Sequence, residues 1–154
     1  MPTKTRVKKT SGSGKDLGKT VYFFLGSILN DQISSESDLA DLVERRLHPR
    51  TLDALKEAGL TEKSLHQLII PRRTLEHRKE RRGLLTEEES DRVVRLARVI
   101  ALAKSIFGDN DKTWAWLSDV DQFSGKNALT KASTSAGARQ VEERLYQLYY
   151  GIFG

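Results

Sequence analysis

The chain has 154 residues, enough to bury a core as one ordinary domain or two small ones. It contains no cysteine, which excludes a disulfide framework, Cys-ligated zinc and a thiolate nucleophile, and suits a reducing, cytoplasmic setting. Its net charge of +5 is unevenly placed: residues 1–20 hold six Lys/Arg against Asp16 alone, residues 21–44 hold five acids and no base, and residues 45–82 hold eleven Lys/Arg against five acids. The natural complement of the basic tail and the basic middle block is a polyanion.

In chain order, residues 1–20 mix Lys with Gly, Ser and Thr and read as a disordered basic tail, either a phosphate-attracting arm or a plain solubilising segment. Gly12-Ser13-Gly14 has neither the length nor the following Lys-Ser/Thr of a phosphate loop. VYFFLGSIL (21–29) is too short to span a bilayer and has no small-residue cleavage site after it, so neither a membrane role nor a signal peptide is expected. Periodicity alone leaves the run VYFFLGSILNDQI open between a short strand and a short helix.

From there the signals are helical. Ser35 with Asp38 starts a helix, Pro49 opens the next and Gly59 closes it, and Thr61 starts a third that Pro71 interrupts. Gly83 ends the following RRTLEHRKERR. Thr86 and Glu89 form a capping-box pattern that launches the longest helix, ended by Gly108. This helix carries Val93, Leu96, Ile100 and Phe107 on one stripe and Val99, Leu102 and Ile106 on another, as a helix packed between neighbours requires. NDKTWAWLS reads as a helix, DVDQFSGKNALTKAS as a loop with a short helix, and AGARQVEERLYQLYYGIFG as the last helix. The predicted class is all-α, with at most one stray strand.

LTEKSLHQLIIPRRTLEHRKERR (60–82) has the makeup of a helix-turn-helix. A helix bearing Leu65, Leu68 and Ile69 passes through Ile70-Pro71 to a second, basic helix. Arg72, Arg73, Arg78, Arg81 and Arg82 are candidates for guanine edges or phosphates, with Thr74 and His77 adding polar contacts. A merely solvated charged face is the plainer alternative. His48, His66 and His77 lack metal-ligand spacing and point to surface or packing roles.

On a helical wheel of roughly 100° per residue, Val141, Leu145, Leu148 and Ile152 share one stripe, while Tyr146, Tyr149, Tyr150 and Phe153 gather about 115° away. A terminal helix buries one face, so the second either meets a partner or wraps against the long helix. Tyrosine suits a partner, having a large apolar body, a polar tip and little entropy to lose, and Gly151 and Gly154 permit close backbone approach.

Several of these stretches together resemble the Xre/MbcA/ParS antitoxin family: PRRTLEHR, the run from Ser90 to Phe107 ending in Phe-Gly, and Gly137-Ala138-Arg139-x-Val141-Glu142 followed by Leu148 and Tyr150-Gly151. The resemblance covers roughly the last three quarters of the chain, and residues 1–30 lie outside it. The chain departs from the family at Phe123-Ser124-Gly125, where Leu-Gly-Gly is usual, at Asn127-Ala128-Leu129-Thr130, where Thr-Pro-Leu-Glu is usual, and at Ser135, where an acid is common.

The resemblance implies an Xre-like helix-turn-helix in 21–84, joined by the long helix to a toxin-binding domain in 85–154. It further implies a type II antitoxin that covers the active site of a RES-domain, NAD-consuming toxin. The helix-turn-helix would repress the shared promoter, read as a palindrome by a homodimer. Arg72, Arg73, Thr74, His77, Arg78 and Arg81 would serve DNA; Arg139, Tyr146, Tyr149, Tyr150, Gly151, Phe153 and Gly154 would serve the toxin. No catalysis and no cofactor is expected of the chain itself. The alternative is a stand-alone regulator whose C-terminal part dimerises or senses a ligand.

Overall fold

A computed structural model describes residues 14–153, with side chains described for 16–151. No strand occurs among the described residues. The helices are α1 (Gly14–Leu29), α2 (Glu36–Arg45), α3 (Thr51–Ala58), α4 (Glu62–Leu68), α5 (Arg72–Glu80), α6 (Glu87–Phe107), α7 (Asn110–Ser118), α8 (Ala128–Lys131) and α9 (Ser135–Phe153).

Local capping starts several of them, at Ser35, Thr61 and Thr86 as the sequence predicts and at Asp109 and Asn127 besides. The side chains of Ser35, Thr61, Asp109 and Asn127 each accept from backbone N–H groups in the first turn of the following helix. At α6 the box is reciprocal: Glu89 N–H donates to Thr86 Oγ1 at 3.1 Å and Thr86 N–H donates to Glu89 Oε1 at 2.8 Å.

Two expectations change. Residues 14–20, read as part of a tail, are the opening turns of α1, while residues 1–13 lie outside the described residues. Leu17 joins Val21, Leu25 and Ile28 on one buried stripe, a four-residue extension hidden by the polar residues around it. The run that periodicity left open is therefore helical through Leu29. At the end of α5 the left-handed residue is Arg82, with φ +52°, and not Gly83, whose N–H donates to the Arg78 carbonyl at 2.9 Å.

Helix α6 is the spine, and α1, α2, α7 and α9 all pack on it. Both of its stripes are consumed: Val93, Leu96, Val99, Ile100 and Leu102 are fully buried. One continuous core runs from Leu17 to Leu145. Two glycines permit close approaches within it. Gly59 (φ +126°) ends α3 where a Cβ would stand 2.4 Å from the Trp114 indole, whose Nε1–H donates to the Ala58 carbonyl at 2.9 Å. A Cβ on Gly137 would stand 1.8 Å from the Lys131 carbonyl oxygen, so only glycine lets α9 start against α8.

Candidate nucleic-acid and partner interfaces

Helices α4 and α5 enclose a three-residue turn, Ile69–Pro71, braced from both sides. Ile69, Ile70 and Leu75 are buried beneath it. The Ile69 carbonyl accepts from Arg92 Nη1 of α6 at 3.2 Å, and the Ile70 carbonyl lies 3.0 Å from His66 Nδ1, a contact that places the proton on that nitrogen. His66 thus has the packing role its sequence context suggested.

Helix α5 buries one residue, Leu75. Arg73, His77 and Arg81, four apart, share the opposite, exposed face with Thr74. Arg72 is exposed at the edge, 3.8 Å from Glu62. Arg78 lies elsewhere: its Nη2 sits 3.1 and 3.2 Å from the two oxygens of Glu89, the nearly buried capping-box carboxylate. It ties α5 to α6 and is turned away from the face that Arg73 and Arg81 share. With Pro71 as its N-cap, the first turn of α5 has no side-chain cap, leaving backbone N–H groups beside the arginines for an anion.

At the other end, Ala138, Val141 and Leu145 bury the inner face of α9. Leu148 is half-buried, and Tyr149 is partly buried against the core. Tyr146 and Tyr150 are 41% and 53% exposed, with ring centroids 6.5 Å apart and stacked. The aromatic stripe is therefore divided: Tyr149 is shared with the core, and Tyr146 and Tyr150 face outward. Arg139 and Gly151 are exposed. The Phe153 side chain and Gly154 lie outside the described residues.

A polar network that sequence reasoning missed lies under Tyr146. Tyr22 Oη donates to Glu36 Oε1 at 3.1 Å, Arg98 bonds Glu36, and Arg98 Nε stands 3.7 Å from Glu142. It links α1, α2, α6 and α9. Burial pushes the Glu142 carboxyl and the Tyr146 phenol up from their ordinary values. Its members are up to 120 residues apart, from Tyr22 to Glu142, so no local pattern signals it.

Among the described residues, no group of three His, Asp or Glu side chains is arranged to hold a metal, and no helix is long and apolar enough to cross a membrane.

Residues 38–98, from within α2 to the middle of α6, match the family described as the antitoxin Xre-like helix-turn-helix domain. A Pseudomonas putida protein named Antitoxin Xre is 41% identical over 98 residues, covering 63% of this chain and 62% of the relative. A Yersinia enterocolitica protein of the same name is 33% identical over 86 residues, covering 54% and 58%. The chain thus spans about three fifths of the length of the curated relatives it matches.

Proposed function

With an antitoxin Xre-like helix-turn-helix domain at residues 38–98 as the premise, we propose that this chain is the antitoxin of a type II toxin–antitoxin pair. Its α9 face would cover the active site of a RES-domain, NAD-consuming toxin, and its α5 face would bind and repress the shared promoter as a homodimer. The reading assigns no catalysis to the chain.

The observation that carries it is the pair of unlike surfaces carried by one core. Cationic side chains and uncapped N–H groups cluster on α5, where phosphates and base edges are the fitting ligands. Half-exposed stacked tyrosines stand on α9, where a protein cavity is the fitting ligand. On α5 the side chains available for DNA are Arg72, Arg73, Thr74, His77 and Arg81, with Arg78 positioning the helix.

Co-expression with the product of the adjacent reading frame tests the reading. The expected outcome is co-purification of the two proteins, preserved NAD and relief of growth arrest. Failure of the neighbour to bind, with promoter binding intact, would favour the stand-alone regulator, a role that the exposed α5 face alone would support.

A further inference from the structure

We propose that the turn 119–126, on the side of α9 away from the tyrosines, is a second, preorganised anchor that receives an acidic segment of the toxin. The proposal rests on the toxin-binding reading above.

Asp121 locks this turn. Its N–H donates to the Lys126 carbonyl at 3.0 Å and its carbonyl accepts from Gly125 N–H at 2.7 Å. Its carboxylate accepts from Phe123 N–H at 2.9 Å, Ser124 Oγ at 3.1 Å and Lys131 Nζ at 2.8 Å. The Lys131 hydrogen bond, then that of the Phe123 amide, lowers the Asp121 carboxyl to about 2. The turn so held displays Phe123 at 101% exposure and Val120 at 54%. A fully solvated phenyl ring contributes nothing to this chain's own core. Fixing the backbone that carries it lowers the entropy cost of a partner's capturing it.

Beside the turn lies a cleft of about 470 Å³ between α7, α8 and α9. Its floor is Ala128 and Val141, and Trp116, Lys126, Gln140 and Arg144 stand around it. Lys131 is neutralised by Asp121, but among the described residues Lys126 and Arg144 have no carboxylate at ion-pair distance. Asp119 is the one lining carboxylate left without a cation there, so the charge available to a ligand is positive. An apolar knob, an indole wall and two spare cations fit a segment that carries carboxylates next to an apolar residue. Arg144 is two residues from Tyr146 on α9, about 160° around the helix, so a toxin meeting both sites grips the helix from two sides.

Purified toxin encoded beside this chain is titrated with the full-length wild type, Phe123→Ala and the double variant Lys126→Glu/Arg144→Glu. Each change is at an exposed position, so the thermal melts should coincide with wild type. The expected result is affinity at least about tenfold weaker for Phe123→Ala, and a larger loss for the charge reversal, accompanied by a flatter salt dependence. Wild-type binding with both variants unchanged would overturn the anchor while leaving the antitoxin reading intact. No toxin binding by wild type would overturn both. Variants that keep toxin affinity but lose self-association would assign the turn to a second copy of this chain and overturn the proposal.

Discussion

Helix α5 buries only Leu75 and turns Arg73, His77 and Arg81 outward, whereas α9 buries Ala138, Val141 and Leu145, then half-buries Leu148 and Tyr149 on the way to Tyr150. The first surface stands off the core; the second grows out of it. Side chains on α5 are thus free to serve a ligand at little cost to folding, except where one reaches back, as Arg78 does to Glu89. On α9 the core and the proposed binding face would draw on the same aromatic stripe, and the burial boundary passes between Tyr149 and its neighbours.

Breaking that boundary should give the largest effect. Tyr146→Ala with Tyr150→Ala should leave the thermal melt nearly unchanged and weaken toxin binding by more than a hundredfold, at about 2 kcal/mol for each interface anchor and 1.4 kcal/mol for each tenfold step. Tyr149→Ala should lower the melt as well, because part of its ring packs on the core. Equal melts for the two variants would erase the distinction.

On α5 the contrast lies between outward and inward arginines. Arg73→Ala with Arg81→Ala should weaken promoter binding, by about 1–3 kcal/mol for each arginine that pairs with a base edge, or reduce the salt slope by about one for each that meets a phosphate. Stability should not change. Arg78→Ala should instead destabilise the fold by about 1–3 kcal/mol, since it removes the cationic partner of the nearly buried Glu89 carboxylate and leaves it only the Thr86 N–H. Chemical denaturation beside a gel-shift titration separates the two. A stable Arg78→Ala that fails only in DNA binding would return Arg78 to the DNA-facing set.

The smallest effect concerns acid. Asp121, held at about 2 in the fold against 3.8 unperturbed, contributes stability that is present above its unfolded value and is lost as pH falls from about 4 towards 2. Glu142, pushed up by burial, has the opposite sign: its contribution is present below its unfolded value and is lost as pH rises through the raised one. Asp121→Asn should flatten the acid limb of stability between pH 4 and 2, and Glu142→Gln should not. Unfolding followed across that range checks the sign.

Phe123 shows how a candidate anchor escapes a sequence reading. As a residue it is an ordinary apolar letter in a loop, notable only as a departure from the family pattern. It is fully exposed on a turn that Asp121 holds in part by reaching Lys131, ten residues on. Arg78 shows the converse: composition groups it with the candidate DNA-binding arginines, and Glu89, eleven residues away, decides its direction.

The sequence by itself determined the helices after α1 and most of their starts, because caps, boxes and apolar stripes act over three to seven residues and need no tertiary partner. Ser35, Thr61, Thr86 with Glu89, and the two stripes of α6 were all legible on that ground. The tertiary structure alone decided which side chains were spent inside the molecule. Trp114 reaches Ala58 across 56 residues, Arg98 reaches Glu36 across 62, and Gly59 and Gly137 yield space to groups from other helices. Those pairings depend on how helices stack around α6, and residue periodicity records which face is buried, not what it is buried against.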